Sequence, residues 1–369
     1  MKRIIVSVSN DLYSDQRVRK VCQSLSDIGY DIQLLGRKLN DSKEITDRAY
    51  GIKRFRLANT KGPLFYAELN FRLLVYLLGH KADVLLANDL DTLLPNYIAS
   101  KLKGIPLVYD SHEYFTEVPE LKGRFAKKIW EKIEAHIFPK LKNVFTVNKS
   151  IADIYSQKYS VKINILKNLP NKSANFIPEE LNALELPTDK NYILLQGAGI
   201  NIDRGAEEIV KAMEYVKEAA LLIIGSGDVL PKLKIMVKEK QLEKTVFFIE
   251  KQSPIRLKSY TYYAQIGLSM DKDTNLNYRY SLPNKIFDYI QGGVPILVSN
   301  LPEVRRVVEE FDIGLICPNH NPVTIANYIN EMLDDNFKNS HRTQLQKAAQ
   351  QLNWENQETI LRTVYTSFL

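Results

Sequence analysis

Cysteine and histidine are scarce in this chain, two of the first and five of the second among 369 residues. Cys22 and Cys317 stand far apart and make neither a metal-ligand spacing nor a disulfide framework, so a reducing cytoplasm is the expected setting. No apolar run approaches the roughly 18 residues that cross a bilayer. The opening MKRIIVSVSN carries an apolar stretch too short for a secretion signal and reads as a first β-strand. There is no helix-turn-helix, zinc finger, aromatic RNA-binding motif or block of consecutive basic residues. The net charge of +7 therefore points to phosphate-bearing small molecules or an anionic surface, not to nucleic acid.

What is present is ordinary globular material, 45% hydrophobic and 25% charged, but too long for one core; two domains are expected. Strand and helix patterns alternate. Strands fit 4–8, 31–35, 83–87, 105–109, 143–147 and 163–166, with a helix over 17–28 that puts Val18, Val21, Cys22, Leu25 and Ile28 on one face. A Pro- and Asn-rich stretch from Lys167 to Asn191 breaks the rhythm and reads as a crossing between domains. Strands then fit 192–195, 220–224, 246–249, 266–269, 295–298 and 313–317, separated by helices at 205–217, 229–240, 255–262, 284–291, 302–309 and 322–333. This is α/β: two doubly wound parallel sheets in series, 1–167 with 350–369 and 168–349.

The stretch SLPNKIFDYIQGGVPIL, 281–297, condenses the functional question. Pro283 suits a helix entrance, Lys285 and Asp288 share a helical face, and Gly292 and Gly293 stop the helix before a strand. A helix start with a lysine beside it attracts phosphate. Other pieces are SDQRVRK after the first strand, YDSHEYF at 109–115, NLPN at 168–171, DRG at 203–205, GSGD at 225–228 and the tail NWENQETILRTVY.

In this order and spacing the pieces resemble the GT-B glycosyltransferases, specifically the retaining family 4 that uses nucleotide-sugar donors. The resemblance runs over nearly the whole chain. It implies two Rossmann-like domains facing across a cleft, with a C-terminal helix crossing back to the first. It also implies a second domain that holds the nucleotide diphosphate, with no metal and no cofactor beyond the donor. By this resemblance Arg204 and Lys285 stabilise the leaving diphosphate beside Pro283 and Asn284, and Asp288 takes the ribose hydroxyls. Gly225 and Gly227 lie near base or ribose, although a plain strand-to-helix turn explains them as well. His112 lies close to the transferred sugar, as a hydrogen-bond partner or proton carrier; the alternative is a structural histidine paired with Asp110 or Glu113.

Three departures stand out. The family more often has Glu where this chain has Asp288, and often an arginine near Gly199. Many members carry an earlier Glu facing the donor sugar where this chain has Tyr280; Asn277, Arg279 and Tyr280 are the candidate replacements.

On the acceptor side the resemblance places Arg17, with Asp15 better read as a helix cap. Asp89-Leu90-Asp91 has an acid-x-acid pattern that holds metal in a different glycosyltransferase fold; here loop capping and acceptor contact are the expectation. The loop Asp271-Lys272-Asp273 reads as solvated. Residues 120–142 carry seven Lys or Arg against three Glu, with Phe125, Ile129, Trp130, Ile133, Ile137 and Leu141 at helical spacing. Such a helix either packs on its own domain or touches the inner face of a membrane, and many family members use lipid-linked acceptors.

The expected activity is transfer of a hexosyl or N-acetylhexosaminyl group to a hydroxyl of a glycan or lipid-linked acceptor, in polysaccharide or glycolipid assembly. The rivals are a GT-B nucleotide-sugar epimerase and a catalytically impaired sugar-nucleotide-binding subunit.

Overall fold

The computed structural model describes residues 1–172, 176–187 and 189–368, the side chain at 335 excepted. They divide into two compact units, Met1–Asn168 with Glu355–Leu369, and Leu169–Trp354.

The first unit is built on β1 (Arg3–Ser7), β2 (Asp31–Lys38), β3 (Gly51–Arg56), β4 (Val84–Asn88), β5 (Leu107–Ser111), β6 (Asn143–Thr146) and β7 (Ile163–Ile165). They form one sheet in the order β3-β2-β1-β4-β5-β6-β7, every pairing parallel. β4 and β5 are buried along their whole length, as strands covered by helices on both faces must be. β3, GIKRFR, is instead a basic edge strand with half its residues exposed, and the sequence pattern missed it because it has no apolar run. The helix Trp354–Thr366 ends in this unit's core: Tyr365 is fully buried, its carbonyl accepting from the Tyr30 hydroxyl at 2.6 Å.

The second unit carries β8 (Asn191–Gly197), β9 (Ala219–Gly225), β10 (Val246–Ile249), β11 (Ala264–Ser269), β12 (Ile296–Ser299) and β13 (Gly314–Cys317), in the order β10-β9-β8-β11-β12-β13 and again all parallel. Between β7 and β8 the described residues hold no helix or strand; Leu169, Leu184 and Leu186 anchor that stretch in the second core, while 173–175 and 188 lie outside the described residues.

In both sheets the chain runs outward from the first strand, then returns to its other side. The reversals fall between β1 and β4 and between β8 and β11. Loops beyond the carboxyl ends of such strands are where open α/β sheets bind ligands.

Glycine shapes the second reversal. Gly225 has φ +137°, and a Cβ there would sit 1.8 Å from the Gly197 carbonyl oxygen; one on Gly227 would sit 2.0 Å from that of Ile200. The loops after β8 and β9 thus meet backbone to backbone, Ser226 N donating to Gly197 O at 3.1 Å and Ile200 N to Ser226 O at 2.9 Å. Packing of the fold's own backbone is enough to require both glycines. Gly225→Ala is expected to destabilise by about 3 kcal/mol, read as an earlier midpoint in urea unfolding.

Candidate functional site

In the second unit the helix Asn284–Gln291 follows β11 after a loop and the short helix Leu276–Arg279. Pro283 (φ −63°, ψ 135°) precedes it and no side chain caps its first turn. Ile286, Phe287, Tyr289 and Ile290 face the core, which leaves Lys285 and Asp288 half-buried on the opposite side. Gly293 (φ +68°) ends the helix in a left-handed turn closed by Val294 N to Tyr289 O at 2.9 Å. The helix is bolted to the sheet through Tyr289: its hydroxyl donates to Leu194 O at 3.0 Å and accepts from Gln196 N at 3.2 Å. Its ring occupies the space where Gly267 has no side chain. Asp288 Oδ2 accepts from Gln196 Nε2 at 3.1 Å, and Gln196 Oε1 accepts from the Thr261 hydroxyl at 3.3 Å.

Arg204 reaches the same end of the sheet from the loop after β8. That loop needs Gly205 at φ +77°, where a Cβ would lie 2.1 Å from Met270 O. Lys272 N donates to Asp203 O at 2.9 Å, so the loops after β8 and β11 are knitted together at the reversal. Arg204 Nη1 meets Asp271 Oδ2 at 2.5 Å, and the guanidinium carbon lies 4.2 Å from the Tyr278 ring centre. Asp271 is therefore not a solvated loop residue: its side chain is 3% exposed, because the Arg204 cation offsets the cost of burying it. Asp273 does fit the surface reading, pairing at 2.8 Å with an equally exposed Arg279. That pair takes Arg279 away from the role of sugar contact. Asn277 is buried, Tyr280 is half-buried at the end of the helix Leu276–Arg279, and Asn284 and Gly199 are exposed. Lys285 makes no hydrogen bond or ion pair with any described residue. Burial pushes its ammonium below the ordinary lysine range, Arg204 adds to this, and Asp271 opposes it.

In the first unit Arg17 is 3% exposed and gripped on three sides. Its Nε and Nη2 donate to the two oxygens of Asp110 at 3.0 and 2.6 Å, and Nη1 to Leu166 O at 2.7 Å. It is thus a buried strut, not a side chain offered to an acceptor. Asp15 caps the helix Gln16–Asp27, accepting from Val18 N at 3.0 Å. His112 sits at the end of β5 with Nδ1 3.2 Å from Asp89 Oδ2, and with Nε2 3.1 Å from Asn88 Oδ1 and 3.4 Å from Asp110 Oδ2. Burial disfavours the imidazolium, but Asp89 and Asp110 outweigh it and raise the pKa to about 9. With its ring nitrogens turned to two carboxylates and an amide oxygen, His112 favours the imidazolium over the neutral ring. Asp89 (φ +57°) precedes the helix Leu90–Lys103 without capping it; its carboxylate takes the His112 backbone N–H at 2.8 Å. Among the described residues no cluster of three or more His, Cys, Asp or Glu could hold a metal ion.

Two families match this chain in tandem. Glycosyltransferase Family 4 covers residues 15–168, and Glycosyl transferases group 1 covers 176–352. The chain belongs to the GT-B glycosyltransferases of family 4. The probable glycosyltransferase WbjE of Pseudomonas aeruginosa is 26% identical over 162 residues, 42% of this chain and 40% of that protein. The alignment thus spans less than half of that relative. Sucrose-phosphate synthase of Thermosynechococcus elongatus shares the fold with a TM-score of 0.80 at 16% identity, covering 100% of this chain and 99% of that one. Anabaena HepE, solved with UDP-glucose, does so with a TM-score of 0.75 at 14% identity, covering 100% of both chains.

In this family 4 chain the basic segment 120–142 forms the helix Phe125–Ile137. Trp130, Ile137 and Leu141 are buried, Trp130 edge-on to Tyr66 and Phe115, so one face packs on its own unit. Phe125 and Ile129 are 76% and 46% exposed among exposed Lys122, Arg124, Lys128 and Lys132. No helix among the described residues is long and apolar enough to cross a membrane.

Proposed function

We propose that this chain transfers a hexosyl or N-acetylhexosaminyl group, with retention, from a nucleoside diphosphate sugar to a hydroxyl of a glycan or lipid-linked acceptor in polysaccharide or glycolipid assembly. The observation that carries the reading is Lys285: a half-buried cation without a partner, beside an uncapped helix start, with Arg204 on the neighbouring loop. Two cations and open backbone N–H groups suit a diphosphate and would stabilise charge growing on it as it leaves. Asp288, oriented by Gln196, is placed to accept from ribose hydroxyls. The first unit takes the acceptor, with the His112 imidazolium acting through its charge. No metal or cofactor is assigned a role. Phe125 and Ile129 amid lysines suit an anionic lipid surface and give a cytoplasmic enzyme a hold on a membrane-borne acceptor.

The test is thermal unfolding with UDP, ADP, GDP and their sugar derivatives, with and without chelator. Uridine nucleotides come first because HepE was solved with UDP-glucose. A ligand at about 100 times its dissociation constant is expected to add about 2.7 kcal/mol, a rise of a few degrees that chelator leaves unchanged. No rise with any of them overturns the donor site.

A further inference from the structure

Among the buried polar atoms without a partner at the second reversal, two lie on side chains that touch each other. Asp271 Oδ1 accepts nothing, although its other oxygen is held by Arg204, and Arg204 Nε donates to nothing. A buried polar group left unpaired is costly, so two on touching side chains need a reason. The backbone that carries the two side chains is held by Gly205 against Met270 and by Lys272 N on Asp203 O, so they meet at a fixed place. The two orphans are of opposite kind, and each specifies what it lacks. Arg204 Nε needs an anionic or neutral acceptor. Asp271 Oδ1 needs a donor, and it cannot face phosphate oxygens, which would repel it. A ligand that offers both carries a hydroxyl close to a phosphate.

We propose that Asp271 is a donor-specificity residue whose free Oδ1 accepts a hydrogen bond from a hydroxyl of the transferred sugar, next to the phosphate held by Arg204 and Lys285. Both cations bear on Asp271, Arg204 by direct contact and Lys285 through its charge. It thereby separates a nucleotide sugar from the bare nucleotide: only the first can satisfy the carboxylate, while the second brings charge towards it without a donor. The inference rests on the donor-site reading above.

The experiment compares Asp271→Asn with the unsubstituted protein, titrating each with UDP and UDP-glucose by calorimetry; ADP and GDP with their glucose forms replace these if the unfolding panel selects another base. The unsubstituted protein is expected to bind the nucleotide sugar more tightly than the nucleotide. In Asp271→Asn the nucleotide sugar is expected to weaken about tenfold or more while the bare nucleotide is unchanged or tighter, so that the preference collapses. Equal losses for both ligands would mean that Asp271 only holds Arg204 in place, and would overturn the proposal, as would an unchanged preference. Should Asp271→Asn fail to fold, Asp271→Ser is read by the same ratio. Failure of the unsubstituted protein to bind any nucleotide is a distinct result, and it removes the donor site itself.

Discussion

Lys285→Met is expected to lower turnover about 10²–10³-fold while leaving the unliganded protein as stable as before, or up to about 1 kcal/mol more stable. The two halves of this expectation come from one observation. Burial and the Arg204 charge hold the Lys285 ammonium below its ordinary pKa, and no carboxylate touches it. A cation whose folded pKa is depressed makes folding less favourable at every pH below that value, because it is charged in both the folded and unfolded states there. Methionine keeps much of the stem's packing and removes that cost. Turnover moves the other way. Negative charge accumulates on the diphosphate as the glycosidic bond breaks, so a fixed cation stabilises the transition state more than the bound donor. The loss is therefore expected in kcat, measured as nucleoside diphosphate released, with a smaller change in KM. A variant within about threefold of full activity would remove Lys285 from the chemistry. A loss matched by a lower unfolding temperature would make it structural instead.

Much of this architecture is legible in the chain's own pattern, because period-2 and period-3.6 apolar runs are direct imprints of a doubly wound sheet. The helix Asn284–Gln291 stands where Pro283 and the glycine pair place it. β9 is equally plain, since buried parallel strands must be apolar. What escaped notice was set by partners distant in sequence. β3 looks like a basic loop because an edge strand needs no apolar face. Asp271 looks like one more acid in a polar loop until Arg204, 67 residues away, is brought against it. Arg17 likewise reads as an acceptor-side residue at a helix start, and only pairing with Asp110 across 93 residues buries it. A buried charge is recognisable only together with its counter-charge. A sequence shows that partnership solely when the two are neighbours, as Glu303 and Arg306 are.

The stability of the first unit is expected to fall as pH rises from about 6.5 to about 9, and His112→Asn is expected to remove that fall. His112 titrates near 6.5 when unfolded and near 9 when folded, so its contribution is complete below the first value and lost through the second. A rise of that size is worth about 3 kcal/mol. Each group facing His112 bears on the outcome. Asp110, which burial alone would raise, is held well below the usual carboxylate range by Arg17 and His112; it stays ionised throughout and contributes no slope here. Asp89 is raised by burial, though His112 pulls it down. Asp91 is pushed up to about 7 by burial first and the Asp89 charge second, so its own destabilising slope ends near pH 7, below most of the His112 window. The signal is therefore separable by pH as well as by substitution. Fluorescence can confine it to the right unit: the chain has two tryptophans, and Trp354→Phe leaves Trp130, buried in the first unit, as the single indole. Asp110→Asn completes the argument. It leaves Arg17 buried beside a neutral amide, which is expected to cost about 3–5 kcal/mol, and it withdraws one of the two carboxylates that charge His112. Stability that is flat between pH 6.5 and 9, or a slope that survives in His112→Asn, would show that the ring is not held as an imidazolium and would make it a candidate base.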